Sequence, residues 1–296
     1  MHFNFTSAII RCNLASLSLI VSFEIFAGPF SPAAGDNAST AVAADSPVIK
    51  TWAQGYENYL PGSNVDPQFQ TPEKALLSAG NSDGNNFGYT FDIVSLGRGG
   101  SITLLFDPPI RNGEGVDFAV FENSFSDNFL ELAWVEVSSN GIDFFRFYNI
   151  SLTQSAVNKF GNIDPTNVTG LAGKYRRGFG TPFDLEDLTM THSSLNNLDL
   201  NSISHVKIID IVGDGSHYDS ISSGNGPNPI YDPYPTSDSA GFDLDAIAAL
   251  HVAETLHEEN IPIPPLFLSL LGLLILFTYQ LSRSFQSPKK YKPLEL

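Results

Sequence analysis

The sequence predicts an all-β fold, a jelly-roll-like antiparallel β-sandwich, followed by one C-terminal transmembrane helix. Short runs of β-forming residues alternate with Gly, Pro and Asn turn signals through the centre of the chain. The strands and helices do not alternate as they would in a parallel α/β fold. Residues 261–281 are apolar and uncharged, as a membrane-spanning helix requires.

The central strands are predicted from runs rich in Val, Ile, Phe and Trp. The turn dipeptide Asn140-Gly141 separates two of them and predicts a hairpin. Pro72–Ala79 opens with proline and good helix formers, and predicts a short helix. The predicted strands are Ser101–Phe106, Val116–Phe121, Glu131–Ser138, Phe144–Tyr148, Val206–Val212 and Phe242–Leu250.

The N-terminal region is typical of an exported protein. Residues 1–27 combine a weakly positive start with an apolar stretch and a small-residue cleavage point, so we interpret them as a signal peptide. Residues 28–48 are small, polar and proline-containing, and predict a flexible spacer. Residues 49–256 then form the extracellular β-sandwich domain.

The C-terminal region predicts a single membrane anchor. Acids precede the span 261–281, and basic residues follow it in the tail 282–296. The positive-inside rule places this tail in the cytoplasm. The sequence therefore predicts an exported protein of the cell envelope or cell surface, with a single-pass anchor and the N-terminal domain outside.

The C-terminal ending also resembles the PEP-CTERM family of surface-sorting signals. Pro262, Pro264 and Pro265 stand where those signals carry their proline motif, ahead of the hydrophobic helix and the basic cluster. No glutamate separates these prolines, and the chain continues past Arg283. The resemblance implies a sorting peptidase of the exosortase type as a partner.

A second resemblance covers the central domain. The stretch Ser95–Phe147, with LAGKYRRGFGTPFDL from Leu171 and IYDPYPTSDSAGFDLDAIAAL from Ile230, looks like a family of bacterial secreted cell-surface proteins. The layout is similar to galactose-binding-like jelly rolls. The resemblance implies a non-enzymatic domain that binds a glycan or other small ligand, or contributes to the extracellular matrix. A purely structural or adhesive protein and a secreted hydrolase are the alternatives.

Charge and cysteine content exclude several classes of function. The formal net charge of −17 repels phosphate backbones, which excludes nucleic acid as a partner. The single cysteine, Cys12, lies in the predicted signal peptide, so the mature domain would have neither a disulfide framework nor a thiol nucleophile. The sequence has no HExxH motif and no G-x-S-x-G elbow that precedes a helix, and we predict no catalytic residue.

Two acidic strands predict a calcium site. Asp243 and Asp245 lie two residues apart, so a strand would place both carboxylates on one face. Asp117 and Asn123 would share a face of a second strand, with Glu122 beyond its end. If the two strands are neighbours, these oxygens converge as calcium ligands. The alternative is that these polar side chains face solvent or cap backbone amides.

The segment 213–241 predicts a ligand-binding loop. It is rich in Gly, Pro, Asp and Ser, and it contains Tyr218, Tyr231 and Tyr234. Aromatic side chains beside acids and amides are typical of sites for sugars or other flat ligands. Packing of these tyrosines within the loop is the alternative.

Overall fold

The structure is a computed structural model that describes residues 28–76, 78–80, 92–220, 226–254 and 278–279. The chain divides into two compact units, Met1–Ala253 and Glu254–Leu296. The predicted signal peptide 1–27, the tail 282–296 and nearly all of the span 261–281 lie outside the described residues. Of that span, Thr278 and Tyr279 are described, and both are helical. Among the described residues, the structure contains no helix with the length and apolar character needed to cross a membrane.

Strands are the main regular secondary structure in the described part of the first unit. They are β1 Val42–Ala43, β2 Thr51–Trp52, β3 Gly55–Leu60, β4 Val94–Ser95, β5 Ser101–Ile110, β6 Phe118–Glu122, β7 Ala133–Ser138, β8 Phe145–Arg146, β9 Ile150–Ser151, β10 Val168–Thr169, β11 Phe179–Phe183, β12 Ile203–Asp210, β13 Asp214–Tyr218, β14 Pro229–Tyr231 and β15 Asp243–Ala249. The helices are α1 Asp187–Thr191 and the 3-10 turns Pro67–Phe69, Pro72–Leu76 and Pro165–Asn167.

The longer strands form two antiparallel sheets. The first has six strands in the order β1-β11-β6-β15-β2, with β4 also paired to β15. The second has five strands in the order β3-β5-β12-β7-β8. The pairs β9–β10 and β13–β14 lie outside these sheets. The all-β, sandwich-like prediction is therefore confirmed.

One apolar core joins the two sheets. Its buried side chains come from β6 and β15 of the first sheet and from β5, β7 and β12 of the second. Phe118 is at its centre, with its ring 5.2 Å from that of Phe183 and 5.7 Å from that of Phe147. This packing fixes β6, which carries the site described below at its C-terminal end.

The hairpin predicted at Asn140-Gly141 is confirmed. β7 and β8 pair antiparallel, with Glu136 opposite Arg146. The side chain of Asn140 accepts hydrogen bonds from the backbone N–H groups of Ile142 and Asp143, each at 2.9 Å. Gly141 has a φ of 72°, a conformation that glycine adopts without steric cost.

The segment 28–48 differs from the predicted flexible spacer. β1 pairs with β11, and Val42 is buried in a small apolar cluster. The hydroxyl of Tyr175 lies 2.9 Å from that of Ser31 and 3.0 Å from that of Thr40. The small side chains that suggested a spacer also let this segment lie close against the domain.

The strand and helix boundaries differ from the predicted ones in two informative places. β5 continues from Ser101 to Ile110, whereas the predicted strand ends at Phe106. The helix predicted over Pro72–Ala79 is only a 3-10 turn, Pro72–Leu76, and its buried residue Ala75 packs into the main core. Tertiary packing decided both boundaries.

We expect Phe118→Ala to lower the free energy of unfolding by about 3–5 kcal/mol, because it leaves a cavity between two aromatic rings. Urea denaturation followed by circular dichroism measures this change. Ile142→Ala is the matched control, since that side chain is 81% exposed and its truncation should leave the free energy within about 0.5 kcal/mol. Equal effects of the two substitutions would contradict the proposed core.

Candidate functional site

The candidate site lies where β6 ends and β15 begins. The two strands are antiparallel neighbours, as the calcium hypothesis required, and Glu122 is opposite Leu244. Asp243, the first residue of β15, therefore lies diagonally across from Glu122 and pairs with Ser95 of β4. An irregularity between Leu244 and Ala246 shifts the register, so Asp245 does not keep the simple alternation assumed from the sequence.

The structure separates Asp117 from the other predicted calcium ligands. Asp117 precedes β6 at its other end, five residues or about 16 Å of strand from Glu122. Its carboxylate accepts hydrogen bonds from Gly113 and Leu185 at 2.7 and 2.8 Å, and lies 2.8 Å from the ring of His251. Asp245 accepts a hydrogen bond from the backbone of Gly80 at 2.9 Å.

The predicted convergence of all five groups is therefore corrected. Asp117 and Asp245 bond to backbone amides, which was the alternative weighed for them. Glu122 and Asp243 remain together, and the side chain of Asn123 lines the cavity beside them.

Glu122 and Asp243 are both almost completely buried. One oxygen of Glu122 accepts a hydrogen bond from the N–H of Ser124 at 2.8 Å, whereas its Oε1 is buried without a hydrogen-bond partner. Oδ1 of Asp243 is likewise buried and unpartnered. Burial, and then the charge of Asp243, raise the pKa of Glu122 well above its usual range. Burial also raises the pKa of Asp243 to about 7.

A third buried carboxyl, Glu131, belongs to the same group, and sequence reasoning missed it. It precedes β7, and its pKa is raised well above the usual range by burial first and then by the charges of Asp243 and Glu122. In the sequence, Glu131 marks only the start of the predicted strand Glu131–Ser138. An acid at the edge of an otherwise apolar run is the sequence signal that could have indicated it.

Two more buried acids, Asp210 and Asp232, extend the group into the domain. Asp210 accepts hydrogen bonds from the backbone N–H groups of Gly99 and Phe242, each at 2.7 Å. Asp232 accepts one from Leu132 at 2.9 Å, and burial raises its pKa well above the usual range. Sequence reasoning missed Asp210, although an acid in the run VKIIDIV was a visible exception to its apolar neighbours.

A cavity of about 250 Å³ opens over two acids of this group, Glu131 and Asp243. Glu131 and Asp243 line it, so buried carboxyls border space that a ligand can reach. The remaining lining residues come from the loop after β6, from residues 159–160, from Arg177 and from the end of the loop 213–241. They are Asn123, Ser124, Phe125, Phe129, Lys159, Phe160, Arg177, Thr236, Ser237 and Ser239.

The rim of the cavity is aromatic. Phe125 and Phe160 are 55% and 72% exposed, although large apolar side chains normally avoid water. The rings of Phe125 and Phe129 stack with their centroids 4.6 Å apart, and Phe160 lies 6.3 Å from Phe129. Lys159 lies 5.4 Å from the centre of the Phe160 ring and bonds to Ser237 at 2.6 Å.

Local hydrogen bonds hold the loop that carries Phe125 and Phe129. The hydroxyl of Ser124 donates to the carbonyl of Ser126 at 2.8 Å, and that of Ser126 accepts the N–H of Phe129 at 3.0 Å. The carbonyl of Ser124 also accepts the N–H of Arg177 at 2.9 Å. These hydrogen bonds fix the conformation of the loop that carries Phe125 and Phe129.

The three predicted ligand-binding tyrosines are not among the described residues that line this cavity. Tyr218 and Tyr231 lie at opposite ends of the β13–β14 pair, and Tyr231 packs against a small core cluster. Tyr234 lies under Arg98, which is 5.1 Å from its ring. The loop 213–241 does reach the cavity, but through Thr236, Ser237 and Ser239, which are too ordinary in composition to stand out in the sequence.

A comparison with models of known protein families gives no match, and a search among curated proteins finds no significantly similar chain.

The buried acids predict an unusual dependence of stability on pH, and Asp210 provides the test. Burial raises its pKa from an ordinary 3.8 to about 7, against the hydrogen bonds from Gly99 and Phe242 and the charge of Arg98. Between these values the folded state binds more protons than the unfolded state. The contribution of Asp210 to stability is therefore present at about pH 4 and is lost as the pH rises through about 7.

We expect the melting temperature in chelator to fall more steeply between about pH 4 and pH 7 in the wild type than in Asp210→Asn. The measurement is thermal unfolding at a series of pH values. Glu114→Gln, which changes an exposed carboxylate, is the control and should keep the wild-type slope. Parallel slopes for the wild type and Asp210→Asn would show that Asp210 titrates normally in the folded protein.

Proposed function

We propose that this chain is an exported bacterial surface protein whose β-sandwich domain binds a glycan or other small ligand in the cavity between Phe125, Phe129 and Phe160. The ligand would lie against the exposed rings and above Glu131 and Asp243. This assignment moves the ligand site from the tyrosines of the loop 213–241 to the end of β6.

The observation that carries this proposal is the combination of an exposed aromatic rim with a buried polar floor. Flat or amphipathic ligands such as sugar rings pack one face on aromatic side chains. Their hydroxyl groups need hydrogen-bond acceptors once water has left, and the carboxyls of Glu131 and Asp243 border the cavity. A pocket with apolar walls and a few polar groups is the usual form of a small-molecule site.

The surface location is supported by the sequence at both ends of the chain. The signal peptide predicted at 1–27 would export the domain, and the span predicted at 261–281 would retain it at the membrane. The resemblance of the ending to PEP-CTERM signals supports a sorting peptidase of the exosortase type as a processing partner. A jelly-roll, galactose-binding-like topology is part of this proposal.

We expect Phe125→Ala and Phe160→Ala each to weaken binding of the cognate glycan at least tenfold, because each removes a stacking face. A glycan array, followed by pull-down with exopolysaccharide from the producing bacterium, identifies the ligand and measures the loss. Ile142→Ala, Tyr231→Ala and Tyr234→Ala are the controls and should bind as the wild type does. Loss of binding in Tyr231→Ala or Tyr234→Ala alone would return the site to the loop 213–241.

Hydrolysis of glycosidic bonds is a second candidate function, and one observation favours it. Glu131 and Asp243 line the same cavity, and burial raises the pKa of both. A carboxylic acid that stays protonated near neutral pH can serve as a general acid beside a second carboxylate. Release of reducing ends from the bound polysaccharide by the wild type, but not by Glu131→Gln, would establish the hydrolase. Binding without release supports the first proposal.

A further inference from the structure

Two buried carboxylate oxygens near the cavity have no hydrogen-bond partner. They are Oε1 of Glu122 and Oδ1 of Asp243, and the two residues are 1% and 3% exposed. An unpaired charged group in a protein interior is costly, because it has lost its hydration without a compensating interaction. Two such oxygens on neighbouring strands require compensation, which a positively charged group beside them would supply.

We propose that Glu122 and Asp243 bind a Ca²⁺ ion beside the cavity that Asp243 lines. This inference goes beyond the proposed function and does not depend on it, since a cation site can exist without a glycan site. It also differs from the calcium site predicted from the sequence, because Asp117 and Asp245 are not ligands.

The local negative charge favours the binding of a cation. Glu122 and Asp243 are close enough for their charges to interact, and Glu131 adds a third acidic group that both of them influence. A divalent cation would relieve the repulsion among all three. The cavity connects Asp243 to water, because Asp243 lines it together with Glu131.

The donor set favours calcium among the common divalent ions. Carboxylates, the hydroxyls of Ser95 and Ser239 beside Asp243, and water in the cavity supply only oxygen. Ca²⁺ accepts six to eight oxygens in flexible geometry, whereas Zn²⁺ prefers nitrogen and sulfur and Mg²⁺ requires a near-octahedral shell.

Neutral oxygens are an essential part of this site. Within the described ranges, no three side chains of His, Cys, Asp or Glu are grouped so that they could hold a metal ion by themselves. A ligand shell of two carboxylates, with hydroxyls and water as the remaining ligands, is consistent with that finding. A shell of this kind predicts weak binding, with a Kd on the order of 10⁻⁴–10⁻³ M, as in extracellular calcium modules.

The test is equilibrium dialysis of the full-length protein in detergent with radioactive Ca²⁺. We expect one ion per chain, and at least tenfold weaker binding in Glu122→Gln and in Asp243→Asn. Asp245→Asn is the matched control, because it changes a buried carboxyl of the same strand that bonds to Gly80. It should weaken Ca²⁺ binding less than Asp243→Asn does, since only its charge acts on Glu122.

Thermal unfolding provides a second measurement that does not need the variants to fold well. The wild type should melt several degrees higher with millimolar Ca²⁺ than with chelator, and Mg²⁺ should have a smaller effect. Absence of calcium binding and of this shift in the wild type would overturn the proposal. So would equal loss of binding in Asp245→Asn and Asp243→Asn. If glycan binding persists in chelator and calcium binding is absent, the proposed function is retained and the cation site is rejected.

Discussion

Burial of several carboxyl groups inside an apolar sandwich is the constraint on which this end of the domain depends. A buried carboxylate is tolerated only if hydrogen bonds, a proton or a cation compensate for its lost hydration. Backbone amides compensate Asp117, Asp210 and Asp245, each of which accepts at least one N–H bond. Glu122 and Asp243 each keep one oxygen that no such bond reaches.

The same constraint connects the fold to the candidate site. The apolar packing of Phe118 fixes β6, and antiparallel pairing with β15 brings Glu122 beside Asp243. The loop that leaves β6 then carries Phe125 and Phe129 over these acids. Apolar packing thus positions a polar floor beneath an aromatic rim, an arrangement suited to a polar ligand with one apolar face.

The sequence was sufficient for the parts of the fold that depend on local patterns. Runs of β-forming residues located the central strands, and the Asn140-Gly141 dipeptide located a hairpin, because both signals act over a few residues. The packing of the segment 28–48 could not be predicted, since its small side chains say nothing of the β11 edge to which Val42 pairs. Contacts between residues distant in the chain are not encoded in local composition.

The candidate site, like the fold, could be predicted where it depends on local sequence but not where it depends on contacts between distant residues. Asp243 and Glu122 could be selected because calcium prefers clustered carboxylates. The condition that their two strands are neighbours is met. The irregularity between Leu244 and Ala246 could not be seen, and it removes Asp245 from the expected alternation. The aromatic rim was missed because many phenylalanines look alike in a sequence, and exposure of Phe125 and Phe160 arises only from the folded loops.

The central claim is that folding forces carboxyl groups into the protein interior, where they hold protons or a cation. Infrared spectroscopy of the protein in chelator at about pH 6 tests it most directly, because ordinary carboxyl groups are ionised at that pH. The account predicts a protonated-carboxyl stretching band in the folded protein, absent from the protein unfolded in denaturant. A folded protein with no such band would contradict it.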